Sequence, residues 1–446
     1  MTPRTLLLLA AGLVGLAGCD AVVDAPPEAA PGATAPAADG DKLRHWNLVT
    51  ASDSAGARRS GDVDFIVTFQ RHVTNPEAAA DAAFCGQRTI RRRSYFRDSK
   101  SGVAATVPAA DLDPLLDCLV ADPDVEFVEP DLPVPTPDED TRYVPLNKDW
   151  AGKADDDYKW ESTREQVLPW NVKEIKGEDS SARSGDGRGS VDVDVFVIDT
   201  DVDHPEVNVA SRRSFLPAGT RPASTTHGNH VALTIAARDD RGGMVGVAPG
   251  ARIHALSVFD GGGAAPMSRL IEAVDHVAAW KKANPSKPAV VNMSVGAYLG
   301  TTRLNALDEA VQALIDLGVT VVVSAGNHKV NAALVSPAHV RDAITVGAYD
   351  GDFEFARHFS NHGSMLDLLA PGDQVVSGAA DGKYALMSGT SMAAPHVTGA
   401  VALYLARNPR ADARRVADEV VRKGKDGFGK SLPRGTTSRT VWLEYL

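Results

Sequence analysis

Val195-Phe196-Val197-Ile198-Asp199-Thr200 decides how the chain is read. Its apolar residues follow one another without a polar face between them, which predicts a strand buried on both sides, and the run ends in a carboxylate. Similar runs recur at 253–259, 289–293, 319–324 and 343–346, and helical stretches at 228–238, 268–283, 303–317 and 391–407 separate or follow them. Buried strands alternating with helices predict an α/β fold, a parallel sheet flanked by helices on both faces. In such sheets the reactive groups collect beyond the carboxyl ends of the strands.

Three segments bring reactive groups to such positions. Asp199 closes its strand run. Thr226-His227-Gly228-Asn229-His230 opens a helical stretch, and Ser388-Gly389-Thr390-Ser391-Met392-Ala393 sets a serine where glycine gives way to a long apolar helix. A serine hydroxyl attacks poorly at neutral pH unless a base takes its proton, and imidazole has a suitable pKa. The imidazole in turn needs a buried carboxylate to fix its tautomer. Asp199, His227 and Ser391 supply that set in the order Asp, His, Ser. Taken singly, each is more ordinary: a loop cap, a helix-end histidine and a helix N-cap. His227 and His230 lack the glutamate of H-E-x-x-H, so no metal site is assigned, and Ser391 lacks the Gly-x-Ser-x-Gly setting of an α/β-hydrolase.

Further blocks in register with these are Gly246-Val247-Ala248-Pro249-Gly250, Val291-Asn292-Met293-Ser294-Val295-Gly296 and Ser324-Ala325-Gly326-Asn327. With them, residues 167–446 resemble the catalytic domain of the subtilase family of serine peptidases, and most resemble its proteinase K-like branch. The resemblance implies that Ser391 attacks a peptide carbonyl, that His227 shuttles the proton and that Asp199 orients His227. It implies that Asn327 and the backbone N–H of Ser391 receive the oxyanion. Ser294, Val295, Gly296, Ala325 and Gly326 would line the primary substrate pocket, and Gly262, within Gly261-Gly262-Gly263, would offer a backbone edge to an extended peptide. Three positions depart from the family pattern: Asp201 and Leu233 stand where glycine is usual, and Asn229 where threonine is usual. Asp201 is expected to raise the working pKa of His227 as a second carboxylate, and Leu233 to require either a smaller neighbour or a shifted helix. The alternative to an endopeptidase is a subtilase-fold binding protein that processes itself once and then turns over little.

Before this domain, 62–132 alternates as β-α-β-β-α-β, the ferredoxin-like α+β order. Its ending Asp124-Val125-Glu126-Phe127-Val128-Glu129-Pro130 resembles the inhibitory and chaperoning pro-domain of the same family, which would make the chain a zymogen. In an exported chain Cys85 and Cys118 are candidates to pair within this module, the alternative being two buried free thiols. Arg91-Arg92-Arg93 reads as a solvated loop between elements. Residues 133–166 read as a linker holding the autoprocessing site. Trp150, Tyr158 and Trp160 suggest that part of it docks.

At the amino terminus, the apolar stretch 6–18 behind Arg4 is too short to span a bilayer core of ~30 Å. It suits a secretory signal. Leu16-Ala17-Gly18-Cys19 resembles the bacterial lipoprotein signal, which implies removal of 1–18, lipidation at Cys19 and a membrane-anchored or released exported protein. Residues 19–61, proline- and alanine-rich at first, read as a disordered tether. The 446 residues carry 46 Lys+Arg against 58 Asp+Glu, a net charge of −12 that argues against nucleic acid as a partner. Polypeptide substrates, the chain's own pro-domain and a membrane are the expected partners. No cofactor is called for, and structural calcium stays open, although Asp155-Asp156-Asp157 lacks the alternating oxygen ligands of a calcium loop.

Overall fold

The structure is a computed structural model, and it describes residues 42–46, 61–137, 141–144, 162–163, 166–240, 242–427, 431–444 and 446. The expected signal, Cys19 and most of the tether lie outside these residues, as do Trp150, Tyr158, Trp160 and the 155–157 aspartates.

Seven strands form the main sheet: β7 (Asp194–Asp199), β8 (Asn208–Ser214), β9 (Arg252–Ser257), β11 (Ala289–Met293), β12 (Thr320–Ser324), β13 (Ile344–Tyr349) and β14 (Leu368–Pro371). Their spatial order is β8-β9-β7-β11-β12-β13-β14, and every neighbouring pair is parallel. The order of connection reverses around β7, so Asp199 ends a strand at the topological switch point. Successive residues of β7 face opposite layers. Val195 and Val197 pack in a core with α3 (Thr226–Ala236) and α6 (Thr390–Arg407), while Phe196 and Ile198 pack with α4 (Met267–Ala283) and α5 (Ala306–Asp316). That alternation explains why the run has no polar face: both sides are covered. β8 and β14 gave no such signal. β8 is an edge strand, Asn-Val-Ala-Ser-Arg-Arg-Ser, mostly exposed, and an edge has no second apolar neighbour to demand an apolar run.

The preceding module consists of β1 (Asp62–Phe69), α1 (Pro76–Ala83), β2 (Arg91–Phe96), β3 (Gly102–Pro108), α2 (Leu112–Ala121) and β4 (Val125–Pro130), with sheet order β2-β3-β1-β4 and antiparallel pairs. Cys85 and Cys118 form a disulfide, with Cα atoms 6.3 Å apart. Phe65, Val67 and Leu115 belong to the module's own core, whereas Ile66, Phe96, Ala104 and Phe127 on the other sheet face pack into the layer of α4 and α5. At roughly 1.5–3 kcal/mol for each large apolar side chain buried, this face contributes substantially to docking. Acidic side chains complete it at two helix starts. Asp131 accepts the N–H and hydroxyl of Ser268 at 2.9 and 2.6 Å, and Glu129 accepts the N–H of Ala306 at 2.9 Å.

Two expectations are corrected here. Arg91-Arg92-Arg93 is not a loop but the start of edge strand β2, where Arg91, Arg92 and Arg93 pair with Asp62, Asp81 and Asp131. Charged residues are what an exposed edge tolerates, so the charge run concealed a strand. Within the expected tether, residues 42–46 are packed rather than free. The N–H of Val128 donates to the carbonyl of Lys42 at 2.7 Å and that of Arg44 to the carbonyl of Val128 at 2.9 Å, because Leu43 and Trp46 carry apolar surface onto the module core.

Candidate active site

Asp199 is fully buried, and its Oδ1 lies 2.7 Å from Nδ1 of His227, itself 4% exposed. With Nδ1–H donated to Asp199, Nε2 becomes the basic ring nitrogen. The carboxylate is fixed further by the N–H of Thr200 at 2.6 Å, and the Thr200 hydroxyl accepts the N–H of Gly228 at 2.8 Å, tying the strand end to the first turn of α3. Gly228 has to be glycine, because a Cβ there would stand 2.6 Å from the Thr200 carbonyl oxygen.

Ser391 lies in the first turn of α6 and is 5% exposed. A buried chain of hydrogen bonds holds it against the carboxyl end of β11. The Thr398 hydroxyl donates to Asn292 Oδ1 (2.8 Å), Asn292 Nδ2 to the Ser294 hydroxyl (2.9 Å), and that hydroxyl to the Ser391 carbonyl (2.8 Å), while the Ser391 hydroxyl donates back to the Ser294 carbonyl at 3.2 Å. A satisfied network of this kind rigidifies the start of the helix. Asn327 follows β12, and its Oδ1 accepts both the N–H and the hydroxyl of Thr390 at 2.9 Å. Thr390 also accepts the N–H of Gly326 at 3.0 Å. Thr390 thus holds the Asn327 amide oxygen from one side. Thr390, Asn292 and Thr398 were missed from the sequence. A hydroxyl directly before Ser391 was the one available hint.

Gly296 and Gly326 both look onto Val335: a Cβ on either would lie 3.3 or 3.5 Å from Val335 Cγ1. Gly326 has φ +95°, and an added Cβ would also meet Asn361 Nδ2 at 2.5 Å, so it too requires glycine. Gly296 and Gly326 thus meet at Val335, a residue that no sequence motif singled out, and Ser294, Val295 and Ala325, which precede these glycines, are buried. Gly262 lies apart from them in the 260–263 turn, its N–H on Asp260 Oδ1 at 2.9 Å.

The three departures acquire partners. Asp201 is engaged on both oxygens by Arg212, Nε to Oδ1 at 3.0 Å and Nη2 to Oδ2. The expected effect of a lone second carboxylate on His227 therefore loses its basis, since a compensated charge acts only as a dipole. Asn229 is fully buried. It accepts the N–H groups of Asp203 (2.9 Å) and His204 (3.1 Å) and donates to Asp203 Oδ1 (2.7 Å) and the Ala379 carbonyl (3.1 Å), clamping the loop after β7 onto α3. Leu233 fills the space over Gly378 on β15 (Val375–Gly378), where a Cβ would stand 2.4 Å from Leu233 Cδ2. The smaller neighbour it needed is Gly378.

His230 and His396 serve the core. Burial pushes His230 down to about 3, with Nε2 3.0 Å from the Val375 carbonyl oxygen, and His396 down to about 4, between Asn171 and the Met392 carbonyl. Among the described residues, no group of three or more His, Cys, Asp or Glu side chains is placed to hold a metal ion. Likewise, no described helix is long and apolar enough to cross a membrane.

The profile of the subtilase family of peptidases matches residues 145–436. Subtilisin E of Bacillus subtilis (strain 168) is 36% identical over 262 residues, covering 57% of this chain and 65% of its own length. An extracellular serine proteinase of Thermus sp. (strain Rt41A) is 41% identical over 236 residues, 51% of this chain and 54% of that protein. The chain thus spans less than two thirds of the length of each. The crystal structure of a cold-adapted subtilisin-like serine proteinase superposes with a TM-score of 0.53 at 32% identity, over 62% of this chain and 98% of that one.

Proposed function

Because the chain belongs to the subtilase family, we propose that it is an exported serine endopeptidase, made as a zymogen, that hydrolyses peptide bonds through Asp199, His227 and Ser391. The observation that carries this is the buried Asp199–His227 contact of 2.7 Å at the switch point of the sheet; Ser391, the expected nucleophile, sits in the first turn of α6. His227 Nε2 takes the Ser391 proton as the hydroxyl attacks, and Asp199 stabilises the imidazolium that results. Asn327 Nδ2 and the backbone N–H of Ser391 receive the oxyanion. The small lining around Gly296, Gly326 and Val335 accepts an apolar side chain before the cleaved bond. The 62–132 module acts as the intramolecular inhibitor, a reading supported by its docking through Glu129 and Asp131 on two helix starts.

Export rests on the apolar run ahead of Cys19, and anchoring on lipid at that cysteine. Radiolabelled fatty acid should enter the wild type and not Cys19→Ala. For the activity, wild type and Ser391→Ala are compared for hydrolysis of an apolar peptide and for loss of the amino-terminal module. Turnover in the wild type alone supports the peptidase, whereas a single self-cleavage without turnover would make the protein a binder.

A further inference from the structure

We propose that Ser211 is a reactive serine distinct from Ser391, activated by His254 and Asp194, and that it takes the acyl group of small carboxylic esters at the open edge of the main sheet. The proposal is independent of the peptidase reading and uses none of its residues.

The three side chains come from three neighbouring strands. Ser211 lies on β8, His254 stands opposite it on β9, and Asp194 opens β7. Ser211 Oγ is 2.7 Å from His254 Nδ1, and His254 Nε2 is 2.7 Å from Asp194 Oδ1. A carboxylate only accepts, so Nε2 carries the ring proton, Nδ1 presents its lone pair, and the Ser211 hydroxyl is the donor. This is the relay logic of Asp199 and His227 with the two ring nitrogens exchanged.

The imidazole is held in place while the hydroxyl is accessible. His254 is buried and stacks on Phe196, with ring centroids 4.4 Å apart, and Trp280 lies at 6.0 Å. Asp194 is also buried, and Arg252 binds both its oxygens, Nε to Oδ1 at 2.9 Å and Nη2 to Oδ2 at 2.7 Å. Because Arg252 pairs with Asp192 as well, two carboxylates face one guanidinium, and one negative charge is left to stabilise an imidazolium at His254. Ser211 is exposed, whereas Ser391 is buried.

A donor for the oxyanion adjoins the serine. The register of β8 on β9 is unbroken from Ser211 to Ser214, and the N–H of Phe215 donates to the Ser257 carbonyl at 2.9 Å. N–H groups along a strand point to alternate sides, so that of Arg212, three residues earlier, points away from β9, and β8 is the edge of the sheet. It directly follows Ser211, where a backbone N–H can receive the developing negative charge. An open edge does not enclose its substrate, which favours a small ester with a good leaving group over a peptide.

The step balances with water as the only further reagent. The Ser211 Oγ–acyl carbon bond forms as the hydroxyl proton passes to His254 Nδ1. The ester C–O bond breaks as that proton reaches the departing alcohol oxygen. Water then hydrolyses the acyl-serine, releasing the acid and returning a proton to Ser211.

The test uses full-length Ser391→Ala protein with para-nitrophenyl acetate as the probe. Nitrophenolate release is followed by absorbance, and acetyl groups are located by peptide mass mapping. Acetyl should appear on Ser211 ahead of Ser214, an exposed serine of the same strand whose hydroxyl oxygen accepts the N–H of Leu216. Ser211→Ala should abolish the label at that position, and His254→Gln should slow acetylation of Ser211 by about 10²-fold or more. Acetyl reaching Ser214 as fast as Ser211, or never reaching Ser211, overturns the proposal. So does labelling of Ser211 at an undiminished rate in folded His254→Gln. The comparison of the two serines changes no buried residue, so it decides the matter by itself where His254→Gln fails to fold.

Discussion

Gly378→Ala probes whether the Leu233 departure is absorbed by a single neighbour. The new Cβ would stand 2.4 Å from Leu233 Cδ2 and 2.9 Å from Cδ1, distances at which an aliphatic pair has to separate. No positive φ is involved, so the whole cost is steric. Overpacking of this kind costs about 1–3 kcal/mol. Leu233→Ala alone empties part of a fully buried site and should cost about 2–5 kcal/mol. In the double variant the added methyl enters the space that the leucine vacates, so the loss should fall short of the sum of the single losses by at least about 1 kcal/mol. The assay is urea unfolding in a Ser391→Ala background, where self-digestion is absent. Losses that add to within about 0.5 kcal/mol would refute the pairing, since that is how independent sites behave. The active protein offers a second reading. Leu233 sits on the helix that carries His227, and a displacement near 1 Å costs about 10²-fold in rate, so Gly378→Ala should lower kcat/KM and Leu233→Ala should restore part of it in the double variant.

Burial pushes the Glu129 carboxyl up to about 8, offset only in part by the Ala306 N–H and Arg44. Docking of the module therefore takes up a proton: affinity is greatest below about pH 4.5 and declines as pH rises to about 8, by up to about 5 kcal/mol, and Glu129→Gln should flatten that decline when module release is followed by gel filtration. Asp201→Gly should leave the acid limb of kcat/KM within roughly half a pH unit of wild type, because Arg212 already compensates the charge, whereas Arg212→Ala should move the limb to higher pH. A large shift in Asp201→Gly would show that the pair leaves a field at His227. Replacing both Cys85 and Cys118 by serine opens a loop with a sequence separation of 33 and should destabilise the module by roughly 3–4 kcal/mol, seen as an earlier urea transition of module fluorescence.

The pattern of apolar runs and the ordered motif blocks determined the α/β class, the module ahead of it and the residues of the candidate site. Those are local signals: a strand buried on both faces must be continuously apolar, and a serine at a helix start must be preceded by residues that turn. Tertiary structure alone decided the matters that depend on partners distant in sequence. Arg212 pairs with Asp201, Gly378 makes room for Leu233, Thr390 holds the Asn327 amide oxygen, and Val335 faces Gly296 and Gly326. No periodicity encodes such pairs, because each needs only one side chain of suitable size or charge at a position the fold brings near. Edge strands were hidden for a related reason. β2 and β8 leave one side to solvent and carry charge there, so their sequence looks like loop until the neighbouring strand is in place. The pairing of β5 (Pro133–Pro135) with β10 (Ala264–Pro266) and of β6 (Arg142–Val144) with β16 (Tyr384–Met387) was the least visible, because each partner lies far away in sequence.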